Sequence, residues 1–182
     1  MRNKIFIGIA AVIVIFVGWS IYGLFFATPA SPPDSASGSY GDLSINVNYS
    51  RPYKKGRLIF GEESAGALQP YGKYWRLGAN AATEITFDKD VNFAGEPVKA
   101  GTYRMYAVPG ATEFEISLNS EVGVFFGAAE PDYDLDVVKV NIPVQSIPET
   151  EQFTISFASD STGAIMNLAW DKTLVVVPIT LQ

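Results

Sequence analysis

The chain has 182 residues, 48% of them hydrophobic, with 13 basic and 19 acidic side chains and neither cysteine nor histidine. That length accommodates one domain plus an anchor and a linker, and the net charge of −6 argues against a nucleic-acid partner. The missing side chains exclude disulfides, thiol chemistry, Ser-His-Asp and Cys-His catalysis and imidazole metal sets; no phosphate loop or dinucleotide fingerprint is present, so no cofactor and no metal are expected.

The first element is a run of 22 uncharged residues, Ile5 to Phe26, of which 14 are Ile, Val, Leu or Phe. As a helix rising ~1.5 Å per residue it spans ~33 Å, slightly more than the ~30 Å hydrocarbon core, which predicts an N-terminal transmembrane anchor over residues 1–27 with residues 5–26 in the membrane. The alternative is a cleavable signal peptide, with Arg2 and Lys4 before the run and Ala27-Thr28-Pro29-Ala30 after it. Signal peptides, however, carry apolar cores of only ~7–15 residues. Arg2 and Lys4 precede the run and Asp34 and Asp42 follow it, the pattern of a cytoplasmic N-terminus and an extracytoplasmic domain, periplasmic or on the outer face. The run holds no Gly-x-x-x-Gly pair, so nothing in it assigns an oligomeric state.

Residues 28–41 are rich in Ser, Pro, Gly and Ala without periodicity and read as a flexible linker. From residue 42 to 182 the pattern is that of strands. Leu43, Ile45, Val47 and Tyr49 alternate with Ser44, Asn46 and Asn48, and the same period of two returns at residues 85–87, 114–118, 138–142 and 153–157. Residues 165–170 and 174–179 are nearly continuous apolar runs and read as central strands. Turn signals fall at Ala94-Gly95-Glu96-Pro97, Pro109-Gly110 and Ser161-Thr162-Gly163. The only helical turn expected lies within Glu62 to Leu68. This predicts an all-β domain, an antiparallel β-sandwich (jelly-roll-like or similar).

Four segments stand out chemically. Arg51-Pro52-Tyr53-Lys54-Lys55-Gly56-Arg57 interleaves cations with aromatics, so Arg51 and Arg57 suit a carboxylate, sulfate or phosphate clamp, or else a solvated loop paired with acidic residues of the same domain. Tyr71 to Thr83 joins Tyr71, Tyr74 and Trp75 to Arg76 and Asn80. That composition serves stacking plus directional hydrogen bonds, or a corner whose polar groups satisfy backbone. Asp132, Asp134 and Asp136 fall on one face if extended and suit a solvent-facing edge, without the glycine and distal glutamate of a calcium loop. Lys99 to Tyr106 reads as a glycine-led turn into a strand.

With these segments in hand, the chain resembles an uncharacterised bacterial family, domain of unknown function 2911. The resemblance rests on Tyr49-Ser50-Arg51-Pro52, Lys55-Gly56-Arg57, Ile59-Phe60-Gly61, Pro70-Tyr71-Gly72-Lys73, Trp75-Arg76, Gly78-Ala79-Asn80, Thr83, Ala100-Gly101-Thr102-Tyr103 and Leu168-Ala169-Trp170. It implies export and brings no catalytic residues. Its motifs converge on the first two segments.

The leading expectation is a membrane-anchored, non-enzymatic envelope module that binds a small polar or anionic ligand or a glycan. Arg51, Arg57 and Arg76 would give charge-assisted hydrogen bonds, Tyr71 and Trp75 stacking, and Asn80 directional bonds. One alternative is a hydrolase acting on glycans through a carboxylate pair drawn from Glu84, Asp88, Glu113 and Glu115, which requires ~5–5.5 or ~6.5–9.5 Å between the two. The other is a structural protein-interaction module.

Overall fold

Alternating apolar side chains give each strand one face to bury, and the domain satisfies them by folding one sheet over on itself. The computed structural model describes residues 2–25, 30–125 and 127–182, in two units, Met1–Ala30 and Ser31–Gln182.

The first unit is helix α1, Arg2–Phe25. Among the described residues no helix is long and apolar enough to cross a membrane. The expected transmembrane anchor over residues 1–27, part of which lies outside the described residues, thus has no support from the structure.

Among the described residues of the second unit there are eleven strands: β1 (Pro33–Tyr40), β2 (Leu43–Ser50), β3 (Phe60–Gly61), β4 (Gln69–Pro70), β5 (Thr83–Phe87), β6 (Val91–Phe93), β7 (Glu96–Val98), β8 (Gly101–Val108), β9 (Glu113–Asn119), β10 (Asp136–Ser159) and β11 (Ala164–Leu181). Nine of them form one sheet in the order β1-β2-β5-β8-β9-β10-β11-β6-β7, with every neighbouring pair antiparallel. The sandwich arises because β10 serves both layers. Its first part, to Pro143, pairs with β9, and from Val144 onward it pairs with β11 through two register shifts between Ser146 and Thr154. Such irregularities bend a strand and let it leave one layer for the other. Strands β8 to β11 pair in chain order as a meander, so this part is not wound in the Greek-key manner of a jelly roll.

Two segments depart from the sequence reading. Residues 33–40, expected to be a linker, form β1 and pair with β2 along their whole length, from Pro33↔Ser50 to Tyr40↔Leu43. Asp132 to Asp136 is not an extended acidic edge: Tyr133–Leu135 is a 3₁₀ turn whose N-cap Asp132 accepts from the Asp134 N–H. The helical turn within 62–68 is present as Glu63–Ala65.

The core between the layers is aromatic at its centre. Trp75 and Trp170 stack at 5.8 Å and 25°, and Phe60, Phe114 and Phe153 pack edge-on or tilted around them. Trp75 reaches this centre because its backbone bridges Ala107 of β8 by two 2.8 Å hydrogen bonds, occupying the place beside β8 that β5 leaves by starting at Thr83. The chain turns from Trp75 into β5 through Leu77 and Asn80, both left-handed at φ 51° and 59°. Gly78 lies between them, where a Cβ would meet the Ser50 carbonyl oxygen at 2.6 Å. Thr83 Oγ1 donates to the Leu77 carbonyl at 2.7 Å and holds the corner closed.

Candidate functional site

Strand pairing sets a row of polar side chains across the outer face of the first layer. Ser35, Asn48, Glu84, Arg104, Asn119 and Asp136 stand in register on β1, β2, β5, β8, β9 and β10. Their sequence neighbours Val47, Ile85, Met105 and Leu118 belong to the core, so strand alternation sends this row outward. The connection between β9 and β10, through its described residues 120–125 and 127–135, crosses this face and roofs the row's middle. Arg104 is 1% exposed and Asn119 is fully buried.

Arg104 ties the roof down. Its Nη1 donates to Glu121 Oε2 at 2.7 Å and its Nη2 to the Tyr74 hydroxyl at 2.6 Å and the Ala129 carbonyl at 2.5 Å. The guanidinium carbon lies 5.6 Å from the Tyr74 ring centroid. The Tyr74 hydroxyl in turn donates to the Gly127 carbonyl at 2.9 Å. Arg104 Nε is buried without a partner among the described residues. Beside it, Asp136 accepts from the Tyr106 hydroxyl and from Asn119 Nδ2, each at 2.8 Å, and pairs with Lys139 at 2.9 Å. Burial raises the Tyr74 and Tyr106 hydroxyls above the usual phenol range. Burial and then the neighbouring Glu130 push Tyr133 up to about 12. All three stay neutral donors at ordinary pH. The roof's far end lies flat on the corner before β5: Gly127 N–H donates to Asn80 O, Ala82 N–H to Val124 O, and a Cβ at residue 127 would sit 2.6 Å from Ala82 N.

Two clefts border this crossing. One, of about 290 Å³, is lined by Leu68, Gln69, Tyr74, Trp75, Arg76 and Ala128. Trp75 points to the core, so its neighbours Tyr74 and Arg76 fall on the outer face, where Tyr74 meets Tyr106 at 5.4 Å. The other cleft, of about 370 Å³, has Asn48 and Glu84 of the polar row on its floor and Tyr49, Ala81, Ala82, Val124 and Phe125 among its walls.

The six residues singled out by sequence do not converge. Arg51 is a brace: it donates to Asp34 at 3.1 Å, to the Phe153 carbonyl at 3.2 Å and to Thr154 Oγ1 at 2.8 Å, joining β1 to β10. Arg57 closes its own loop on the Lys54 and Tyr53 carbonyls. Asn80 donates to the Ser31 carbonyl at 3.2 Å. Tyr71 is half-buried and lines neither cleft. Trp75 is 3% exposed with one face on Trp170, so it has no free face for a sugar. Arg76 is half-buried in the first cleft, and among the described residues its side chain has no hydrogen bond or ion pair. Of the predicted set only Trp75 and Arg76 share a cleft. Among Glu84, Asp88, Glu113 and Glu115 only Glu84 lines either one, so that set supplies no carboxylate pair across these two clefts.

Sequence reasoning underrated Tyr74 and Arg104. A charged residue inside an otherwise apolar β8 pattern, Tyr103-Arg104-Met105-Tyr106-Ala107, is the signal that could have found the second. Neither the curated proteins nor the solved structures contain a match to this chain. A family model does match, over residues 31–179, nearly the whole of the β-domain. The chain thus belongs to the family described as proteins of unknown function, DUF2911.

Proposed function

We propose that the domain is a non-enzymatic binding module for a small anion with an apolar body, held in the cleft at Arg76. One observation carries this reading. Every other buried or half-buried cation among the described residues is engaged: Arg51 by Asp34, Lys54 by Glu149 and Asp171, and Arg104 by Glu121. Arg76 alone is half-buried with its donors unmatched, and a partly desolvated guanidinium gains most from an incoming carboxylate, sulfonate or phosphate. The Leu68 and Tyr74 side chains and Ala128 favour an apolar remainder over a polyhydroxylated one.

A melting-temperature screen of the full chain against small carboxylates, sulfonates and phosphate esters tests this, since a ligand stabilises by RT ln(1 + [L]/Kd). Arg76→Gln is expected to weaken any hit roughly 10- to 100-fold, the value of a charge-assisted hydrogen bond of about 1.5–3 kcal/mol. Hits of equal strength with Arg76→Gln, or no hits, would sink the reading.

The module works, in this proposal, outside the cytoplasm and attached to a membrane through residues 5–26. The support is sequence alone: 22 uncharged residues with cations before them and acidic residues after. The full chain is expected to stay in the membrane pellet after alkaline carbonate extraction, with the domain open to external protease in spheroplasts. Recovery in the soluble fraction would remove the attachment.

A further inference from the structure

We propose that the second cleft, floored by Glu84, binds a small organic ammonium ion. The argument begins with charge. Two carboxylates line this cleft, Asp34 and Glu84. Asp34 is neutralised by Arg51 at 3.1 Å and also accepts from the Ser35 N–H. Glu84 is half-buried and has no cationic partner among the described residues. Its one hydrogen bond is from the Gly123 N–H to Oε1 at 2.6 Å, which leaves Oε2 unengaged. Arg104 is the next residue of the polar row, but its charge is matched by Glu121 at 2.7 Å and it is 99% buried beneath the roof. The cleft therefore carries one uncompensated negative charge.

Shape and surroundings give the rest. At about 370 Å³ the cleft lies within the ~300–1,000 Å³ range of small-molecule sites. Its walls are largely apolar, with Ala81, Ala82, Val124 and the exposed ring of Phe125 among them, while Asn48 and Ser50 are its uncharged polar members. Apolar walls and one aromatic ring around a single unpaired carboxylate suit an alkylammonium: the ring attracts the cation and the carboxylate balances it. A hydrated metal ion would find only one free carboxylate there. The long-range field agrees, because residues 31–182 carry eleven basic and nineteen acidic side chains, a net charge of −8 that draws cations in. The tip Gly123–Phe125 forms one wall, with Phe125 89% exposed, so the mouth opens to solvent beside an unburied ring.

The test uses the full chain in a non-ionic detergent, with choline titrated by calorimetry and its neutral isostere 3,3-dimethylbutan-1-ol as comparison. Choline is expected to bind saturably and the alcohol at least tenfold more weakly. Glu84→Gln keeps an oxygen for the Gly123 N–H and is expected to weaken choline at least tenfold. Phe125→Ala, at a position too exposed to matter for folding, is expected to weaken it several-fold, so the proposal remains testable should Glu84→Gln not fold. No choline binding, equal binding of the alcohol, or full affinity in both variants would overturn it. The site is independent of the Arg76 cleft, whose failure would leave this result standing.

Discussion

Arg104→Met is expected to lower the unfolding free energy by about 3 kcal/mol, the lower end of what removing one partner of a buried ion pair costs. The lower end applies because Glu121 keeps 39% of its side chain in solvent and can rehydrate. The substitution also strips the Tyr74 hydroxyl and the Ala129 carbonyl of a donor. At ~2–4 °C per kcal/mol for a domain of this size, the melting temperature falls by roughly 6–12 °C. The double variant Arg104→Met, Glu121→Gln should recover part of that loss, since it no longer strands a carboxylate. A single variant that melts with the wild type would mean the roof is held by something other than Arg104.

Trp170→Ala has the larger expected cost, about 4 kcal/mol, from lost transfer energy plus the cavity left among Phe60, Trp75 and Phe153. The comparison with Trp170→Phe is the sharper measurement. Trp170 Nε1 is buried with no acceptor among the described residues, and an unmet donor costs ~1–3 kcal/mol. Phenylalanine gives up volume but removes that donor, so its net cost is expected to stay below about 1.5 kcal/mol. Chemical denaturation of both variants decides the matter, and equal costs would show that the indole N–H is satisfied.

Strands whose two faces differ were legible in the sequence, and those whose partners lie far away were not. Leu43 to Tyr49 alternates because one side faces the core and the other solvent, and the structure reproduces that alternation up to Tyr49. Pro33 to Tyr40 carries Ser, Ala and Gly, which show no period. Its place is set by β2 and by a close approach in which the Phe157 ring lies 2.5 Å from where a Cβ on Gly38 would stand. β10 and β11 each read as two strands: β10 alters its burial pattern where it changes layers, and β11 where Asp171, left-handed at φ 53°, breaks the alternation. The same distance dependence governs the site. Composition pointed to Arg51, Arg57 and Arg76 alike, but Arg51 is consumed by residues 17 and over 100 positions away, Arg57 by its own loop, and only Arg76 is left over. The row joining Glu84 to Arg104 and Asn119 exists only through strand register, which no local pattern encodes.

The position of β11 has a consequence for how the chain is made. It lies between β10 and β6 in the sheet, yet it follows both in sequence. The β6–β7 hairpin, Val91 to Val98, must wait until Ile179 to Leu181 arrive before its open edge is covered. A nascent chain therefore carries an unpaired strand edge from the completion of Val98 until Ile179 has been made, and cannot lock its second layer piecemeal. Such long-range pairing folds slowly and is exposed to aggregation in the interval.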